Sequence, residues 1–557
     1  MSNLNRKKRI LSVGEASFVL SGFGKYGNEV LKRLQNTGKY EIAELSCYGF
    51  VNDQRANQIP WTYYANAISD DDPRKPEYDS NPENQWGAWR FERTMLDFRP
   101  DLVMSIRDPW MDSYIFQSPF RKFFNYVVMP TYDSKPYAES WVYDYSTADA
   151  VFTYTEWAEK ELNNDANGKI NIIGTASPGV DLDIFKPVNN IKQHRNNMGF
   201  REDIFLIGSV MRNQKRKLFP DLLKAFKIFL QKCHEKGRDD IAQKTFLYFH
   251  TSYPDRGWNF PDLLKKEGLG HKVVFTYVCQ TCKNPFCSFF QDARTVCPHC
   301  KQVGAVLPSV GIGLTQEQLA SIFQMFDCYV QYAIAGGIEM PAIEAGACGV
   351  VPFEVDYAGM SSAVRNLNGI PIKIKHKFLE LETGAYRVYP DNDYLAEQLF
   401  SFLTKPESIR KKMGHETRKG AEKHYNWDNI AKSWEDYFDN TELTGLQGQW
   451  DSPPKLHNIP SIIPADLSNK DFVRWIFTDV LHAPDKINSY AELDMLKSVN
   501  YGVQVNGQNL QKITREQIFQ SLINRMQQYY QCEQGRCGML PLTQEDYINY
   551  AHERFTV

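Results

Sequence analysis

The chain lacks any apolar run near the ~20 residues that a membrane-spanning helix requires, so no membrane span is expected. Its first residues, MSNLNRKKRILSVGE, pass from basic side chains into a short strand pattern without the apolar stretch of a secretory signal. Charge of one sign is also scarce. A net charge of −3 over 557 residues argues against a general basic coat for nucleic acid, though not against a local basic patch. Cysteine, 11 in all, is too thinly spread for a disulfide framework. There is no internal repeat, and no DxD motif stands out as a divalent-ion site. The expectation is a soluble, cytoplasmic protein of two or three domains.

What the sequence does hold is ample core material, with 42% apolar and 24% charged residues, as in an ordinary globular protein. Short apolar strands alternate with amphipathic helices over the first 440 residues. Strand patterns fall at Arg9–Val13, Asp101–Ile106, Tyr126–Met129, Ala150–Tyr154 and Ile170–Ile173, with a glycine loop at Ser21–Gly27 and a helix from Asn28 to Leu34. After a junction near Pro187 a second series begins. Its strands are Phe205–Val210, Thr245–Thr251, Lys272–Val278, Cys328–Tyr332 and Val350–Phe353, and its helices are Pro220–His234, Gln316–Phe326 and Pro341–Ala347. Trp427–Phe438 reads as a closing helix. Such a βαβ rhythm predicts parallel sheets with helices on both faces. Two doubly wound domains facing across a cleft would bind ligands at the carboxyl ends of their strands. Residues 441–464 are rich in Gly, Pro and Ser, a linker signature, and 465–557 are mainly helical in pattern, with no chemical motif.

Cys279, Cys282, Cys297 and Cys300 form CxxC–x14–CxxC, a specific pattern for tetrahedral zinc. Cys287 and His299 are spare donors nearby, but the paired spacing favours the four thiolates. Four thiolates close the shell, so the zinc would be structural, and so small an insertion (279–310) would depend on it to fold. The insertion follows the carboxyl end of a strand, which would place it beside the cleft. Lys283, Arg294, Lys301 and Phe289-Phe290 would then serve either a nucleic-acid or protein contact or a rigid lid.

The segment Gly336–Met360, GGIEMPAIEAGACGVVPFEVDYAGM, joins a glycine pair to a helix start and a carboxylate, Glu344. Small residues allow close backbone approach, and free N–H groups at a helix start suit a phosphate. The segment reads as a cradle for a nucleoside diphosphate.

Four segments in order carry a family resemblance. SGFGKYGNEVLKRL, SPGVDLDIFKP, GSVMRNQKRKLFPDLLKAF and GGIEMPAIEAGACGVVP resemble the glycine loop, interdomain segment, diphosphate-binding loop and Glu-x7-Glu region of the family-4 glycosyltransferases. The resemblance covers residues 9–440 apart from the cysteine insertion. It implies an α/β GT-B fold with an N-terminal acceptor-side domain (1–190) and a donor-binding domain (191–440). It further implies retaining transfer from a nucleoside-diphosphate sugar, with no obvious protein nucleophile and no general need for a divalent ion.

By the same resemblance Arg212 and Lys217 would hold the donor diphosphate, and Glu344 the donor ribose. Gly22 and Gly24 would bring backbone close to the phosphate. The position of the family's first glutamate is Gly336 here, while Glu339 stands where the family usually has glycine. Sugar contact would then fall to Glu339 or to the amides of Gly336 and Gly337. Asp133, in MPTYDSKPYAESW, would bind the transferred sugar or orient the acceptor hydroxyl, and Asp108 is a second cleft carboxylate. The plainer readings are a solvated basic loop for Arg212 and Lys217, a helix-start carboxylate for Glu344 and a surface turn for Asp133. The acceptor would be a glycan, a small molecule or a hydroxymethylated DNA base, since enzymes of this fold are known to modify such bases. A different class of function, a non-catalytic nucleotide-sugar or nucleic-acid binding protein on a degenerate fold, is motivated by the glycine at 336.

Overall fold

The computed structural model describes residues 6–118, 120–291, 295–309, 311–443, 462–480, 487–488, 490–505 and 508–522. Its first sheet comprises β1 (Lys8–Glu15), β2 (Tyr40–Phe50), β3 (Thr62–Ala67), β4 (Leu102–Arg107), β5 (Asn125–Pro130), β6 (Ala150–Thr153) and β7 (Ile172–Thr175). The order is β3-β2-β1-β4-β5-β6-β7, and every neighbouring pair is parallel. Strand order reverses between β1 and β4, so the carboxyl ends of these two strands, at Glu15 and at Arg107 just before Asp108, flank the switch point where such sheets bind ligands.

The second sheet contains β8 (Phe205–Val210), β9 (Thr245–His250), β10 (Val273–Cys279), β11 (Pro285–Phe289), β12 (Thr295–Val296), β13 (Val303–Val306), β14 (Cys328–Gln331), β15 (Val351–Val355) and β16 (Ile370–Ile372). Its order is β12-β13-β10-β9-β8-β14-β15-β16, with β11 also paired to β10. Here the reversal lies between β8 and β14. The loop after β8 carries Arg212 and Lys217, and the loop after β14 carries the glycine pair. A hairpin of β17 (Ile374–Leu379) and β18 (Tyr386–Pro390) follows.

The two units are locked by the helix Trp427–Asn440, which ends the second series but packs on the first sheet. Trp434 is fully buried with Ile10, Tyr26, Phe152 and Phe438. Its indole N–H donates to the Tyr26 hydroxyl at 2.9 Å, and Lys8 donates to the Phe438 carbonyl at 2.6 Å. The amphipathic pattern of this segment thus serves a face on the other unit.

Several elements differ from the sequence expectation. The helix expected from Asn28 begins at Gly22 and runs to Asn36, so the glycines form its first turn instead of a preceding loop. Ser21 caps it by accepting from the Gly24 N–H at 3.0 Å, a bond that offsets the poor helix propensity of glycine. β2 and β3 were not expected. β2 carries a buried glutamate, Glu44, which breaks the apolar pattern yet accepts from Trp61 at 3.0 Å and Ser46 at 2.6 Å.

The cysteine insertion is also less independent than its spacing implies. β11 and β13 pair antiparallel with β10, so the insertion extends the sheet. Its edge lies with β9 and β8 between it and β14, away from the glycine pair. Phe289 is exposed, but Phe290 packs inward on Phe275 and Tyr253, so the two do not form one outward aromatic surface. Arg294 lies outside the described residues.

Residues 444–461, most of the segment expected as a linker, and the polar run Arg525–Gln531 also lie outside the described residues. The described C-terminal part has helices Asn469–Trp475 and Tyr490–Tyr501, plus a small antiparallel pair, Val503–Val505 with Gln508–Gln511, that helical pattern alone did not suggest. Among the described residues no helix is long and apolar enough to cross a membrane.

Candidate functional site

The loop after β8 is fixed by backbone pairing to the segment after β14. Leu218 N–H donates to Tyr332 O and Ile334 N–H to Arg216 O, each at 3.0 Å. The Trp258 indole holds the Lys217 carbonyl at 2.7 Å, and Asn213 clasps the Trp258 backbone from both sides, at 2.9 and 2.7 Å. Lys217 is thereby delivered, almost fully buried, to the glycine pair. Its ammonium donates to the carboxylate of Glu339, and Arg216 approaches the same carboxylate at 3.7 Å. Burial, reinforced by the charge of Arg216 and opposed by Glu339, lowers the Lys217 pKa to about 8.

Glu339 is the N-cap of the helix Met340–Ala347, and its side chain makes no capping bond. Glutamate is not among the favoured caps, so its place here is explained by the Lys217 pair rather than by the helix. A Cβ built on Gly336 would lie 2.5 Å from Glu339 Oε1. The Glu339 carboxylate therefore occupies the space that a side chain at 336 would enter. Gly337 is required by the opposite unit, since a Cβ there would lie 2.8 Å from Thr131 Cγ2.

Glu354, on β15, is fully buried, and neither of its carboxyl oxygens has a hydrogen-bond partner. Burial, with Glu339's charge, raises its pKa well above the usual range. Held neutral, it leaves Glu339 as the counter-ion of Lys217.

Glu344, on the next turn of the helix, is buried and receives Lys25 Nζ at 2.8 Å. Lys25 comes from the helix Gly22–Asn36 of the first unit. Gly22 faces Met340, whose Sδ would lie 3.8 Å from an added Cβ. Gly24 has no room for a side chain, with Ala16 O 2.9 Å from its built Cβ.

The other candidates are placed as follows. Arg212 is turned to Asp255 at 2.9 Å and is half exposed, so Arg216, not Arg212, joins the Lys217–Glu339 group. Asp133 accepts from Arg387 of β18 at 2.8 Å, and Arg387 also pairs with Glu380 at 2.8 Å. Asp108 is half-buried, and burial lifts its pKa to about 6, with Asp133 adding to the rise and Thr131 and Arg216 opposing it. Glu15 accepts from Ser21, and burial raises its pKa. Sequence reasoning singled out neither Lys25 nor Arg387. Their signal was faint: a lone lysine inside a glycine motif, and one arginine in a hairpin.

The four cysteines do converge. Their sulfurs lie within 4.8 Å of one another, with Cys279–Cys300 at 3.5 Å and Cys282–Cys297 at 3.7 Å. Tetrahedral thiolates at a Zn–S length of ~2.3 Å stand about 3.8 Å apart, so the set fits one such ion. Each pair closes a matching turn. Lys283 N–H donates to Cys279 O at 3.0 Å and Lys301 N–H to Cys297 O at 2.9 Å, and both lysines have positive φ, 60° and 63°. Cys287 is not in the cluster and contacts the Tyr248 hydroxyl at 3.2 Å.

Solved structures share this architecture. Sucrose-phosphate synthase from Thermosynechococcus elongatus matches with a TM-score of 0.55 at 16% identity, covering 78% of this chain and 98% of that one. The fold is GT-B. A glycosyltransferase from Rickettsia africae gives 0.52 at 15%, covering 78% and 100%. Anabaena HepE, solved in complex with UDP-glucose, gives 0.52 at 11%, also covering 78% and 100%. No family model matches this chain, nor does any curated protein. Within the GT-B frame, the loops after β8 and β14 and the first turns of Gly22–Asn36 meet at the seam between the two units.

Proposed function

We propose that the chain transfers a sugar from a nucleoside-diphosphate sugar to an acceptor hydroxyl, with retention of configuration. The observation that carries this reading is the charge group at the seam. Three cations, Lys25, Arg216 and Lys217, stand with two carboxylates, Glu339 and Glu344, in contact or near contact across the switch points of a GT-B fold. Breaking the glycosidic bond leaves extra negative charge on the diphosphate. Lys217 supplies a buried point charge to it, and Arg212 a planar fork from the same loop once it leaves Asp255. Such preorganised contacts are worth ~3–4 kcal/mol each in the transition state. Glu344 binds the ribose, Glu339 and the amides of Gly336 and Gly337 bind the sugar, and Gly22 and Gly24 bring backbone toward the phosphate. Asp133 positions the sugar or the acceptor, and the leaving diphosphate takes the acceptor proton.

The acceptor side carries Glu15, Asp108 and Asp133. A polyanion would meet these carboxyls unfavourably, which favours an uncharged glycan or small molecule over DNA. Cys279, Cys282, Cys297 and Cys300 would hold a structural zinc, which would tie β10 to the added strands. The second reading, a nucleotide-sugar or nucleic-acid binding protein without catalysis, is motivated by Gly336; the Glu339 carboxylate beside that glycine speaks against it.

The test is incubation with UDP-, GDP- and ADP-sugars, beginning with UDP-glucose, and assay of released nucleoside diphosphate. Slow hydrolysis that is lost in Lys217→Met supports the reading. No turnover and no binding with any donor would sink it.

A further inference from the structure

Lys25 has no role in the reading above beyond its place in the charge group, yet its position is hard to explain as packing. It lies one turn into the helix Gly22–Asn36, where a cation opposes the helix dipole, and no acidic residue stands in that first turn to offset it. Its partner comes from 319 residues away. Nζ lies 2.8 Å from Glu344 Oε1, with the two side chains 21% and 7% exposed. Nζ also sits 5.5 Å from the centre of the Phe185 ring, in the segment joining the two units. The chain therefore spends an inter-unit ion pair on the same carboxylate that the donor reading assigns to ribose.

We propose that Lys25 is a ligand of the donor diphosphate, resting on Glu344 until the donor arrives. This rests on the donor reading of the site. Glu344 lies five residues beyond Glu339, the N-cap of the same helix, about 7.5 Å along the helix axis, so an ammonium parked on it can approach a phosphate held between Lys217 and Glu344. A diphosphate carries more charge than one carboxylate and draws the ammonium more strongly. The lysine stem is flexible enough to follow. When Lys25 turns to phosphate, Glu344 is released to accept from the ribose hydroxyls, so one exchange serves both ends of the nucleotide. The diphosphate is then held by Lys217 from the second unit and Lys25 from the first, which ties the two units together through the donor.

The experiment titrates UDP against uridine, GDP against guanosine and ADP against adenosine, using the full chain and its Lys25→Met, Lys25→Arg and Glu344→Gln variants, with thermal melts as a check on folding. Lys25→Met is expected to weaken the bound diphosphate at least tenfold while the matching nucleoside binds as before or more tightly. Lys25→Arg should keep most of the diphosphate affinity. Glu344→Gln should weaken the nucleoside and leave the diphosphate's advantage over it intact. Equal loss of diphosphate and nucleoside in Lys25→Met would mark Lys25 as structural and overturn the proposal, as would an unchanged diphosphate affinity. If the native chain binds none of the three diphosphates, the donor reading itself falls and this proposal with it.

Discussion

The reading of Glu339 as a displaced sugar-end carboxylate leads to a reciprocal exchange of residues 336 and 339. Gly336→Glu alone puts a Cβ 2.5 Å from Glu339 Oε1, with Cδ and Cγ of Glu339 at 3.3 and 3.5 Å. The atoms in the way are the mobile end of a side chain, so the backbone can stand while Glu339 is driven off Lys217. Two carboxylates would then share one buried site. Glu339→Gly alone leaves Lys217 buried without its counter-ion. Breaking a buried pair can cost ~3–5 kcal/mol, but Lys217 has an escape. With its pKa lowered to about 8, giving up its proton near neutral pH costs only on the order of 1 kcal/mol. Fold stability should therefore fall by roughly 1–2 kcal/mol in Glu339→Gly. Activity should fall far more, about 100-fold or beyond, because a neutral Lys217 no longer stabilises the leaving diphosphate.

In the double variant, Gly336→Glu with Glu339→Gly, the carboxylate returns to the same space from the other side, and Lys217 regains its partner. Donor hydrolysis in the double variant should exceed that of either single variant by at least tenfold, about 1.4 kcal/mol in barrier, so that the two losses are strongly non-additive. Single-turnover release of the nucleoside diphosphate measures the activities, and denaturant melts measure the stabilities. If the double variant shows only the product of the two single losses, the two positions are not alternative sources of one carboxylate, and the argument from the filled space is wrong.

Binding of a nucleoside diphosphate should depend on pH through Lys217. Its folded-state pKa is lowered to about 8, so the ammonium is present below that value and lost above it. Affinity should decline from pH 8 upward, above the range in which the ligand's own terminal phosphate titrates (about pH 6), and Lys217→Arg should abolish that decline, both read by titration calorimetry. Purified protein should carry one tetrahedral metal ion per chain, measured by elemental analysis. Cys282→Ser should lose it and lower the melting temperature through the β10–β13 edge. Trp434→Ala, which empties a fully buried site between the units, should cost ~3–5 kcal/mol in denaturant melts.

The seam was legible in the sequence where one segment holds both the backbone device and the functional group. Gly336, Gly337 and Glu344 lie within nine consecutive residues, and the cysteine pairs set their own geometry by spacing alone. Lys217 was legible because a strand, a basic loop and a helix stand in succession. What stayed hidden depends on contacts between segments far apart in the chain. Arg387 meets Asp133 across 254 residues, and Lys25 meets Glu344 across 319. Arg212 and Arg216 are four residues apart and alike in type. The pairing of residues 216–218 with 332–334 decides which of them faces Glu339, and no local pattern encodes that pairing. β2 was obscured for a related reason, since Glu44 is made tolerable inside the sheet by Trp61, which belongs to the loop before the next strand.

The same distinction explains why Glu339 matters more than its position in the sequence suggests. A carboxylate at a helix start usually serves the helix, through capping or the dipole. Here it caps nothing and instead holds a lysine whose charged form burial disfavours. Glu354, buried below with no partner, would compete for that lysine if it were ionised. Its neutrality and Glu339's charge support each other, because Glu339 is the second cause, after burial, that keeps Glu354 protonated. Replacing Glu354 with Gln should therefore leave Lys217 charged and donor binding nearly intact. Replacing Glu339 with Gln should both lower the Lys217 pKa and let the Glu354 pKa fall. The decline in donor affinity with pH should then move to lower pH in Glu339→Gln and stay in place in Glu354→Gln. An equal displacement in both variants would show that the two carboxyls act as one titrating pair rather than as a charged partner and a neutral neighbour.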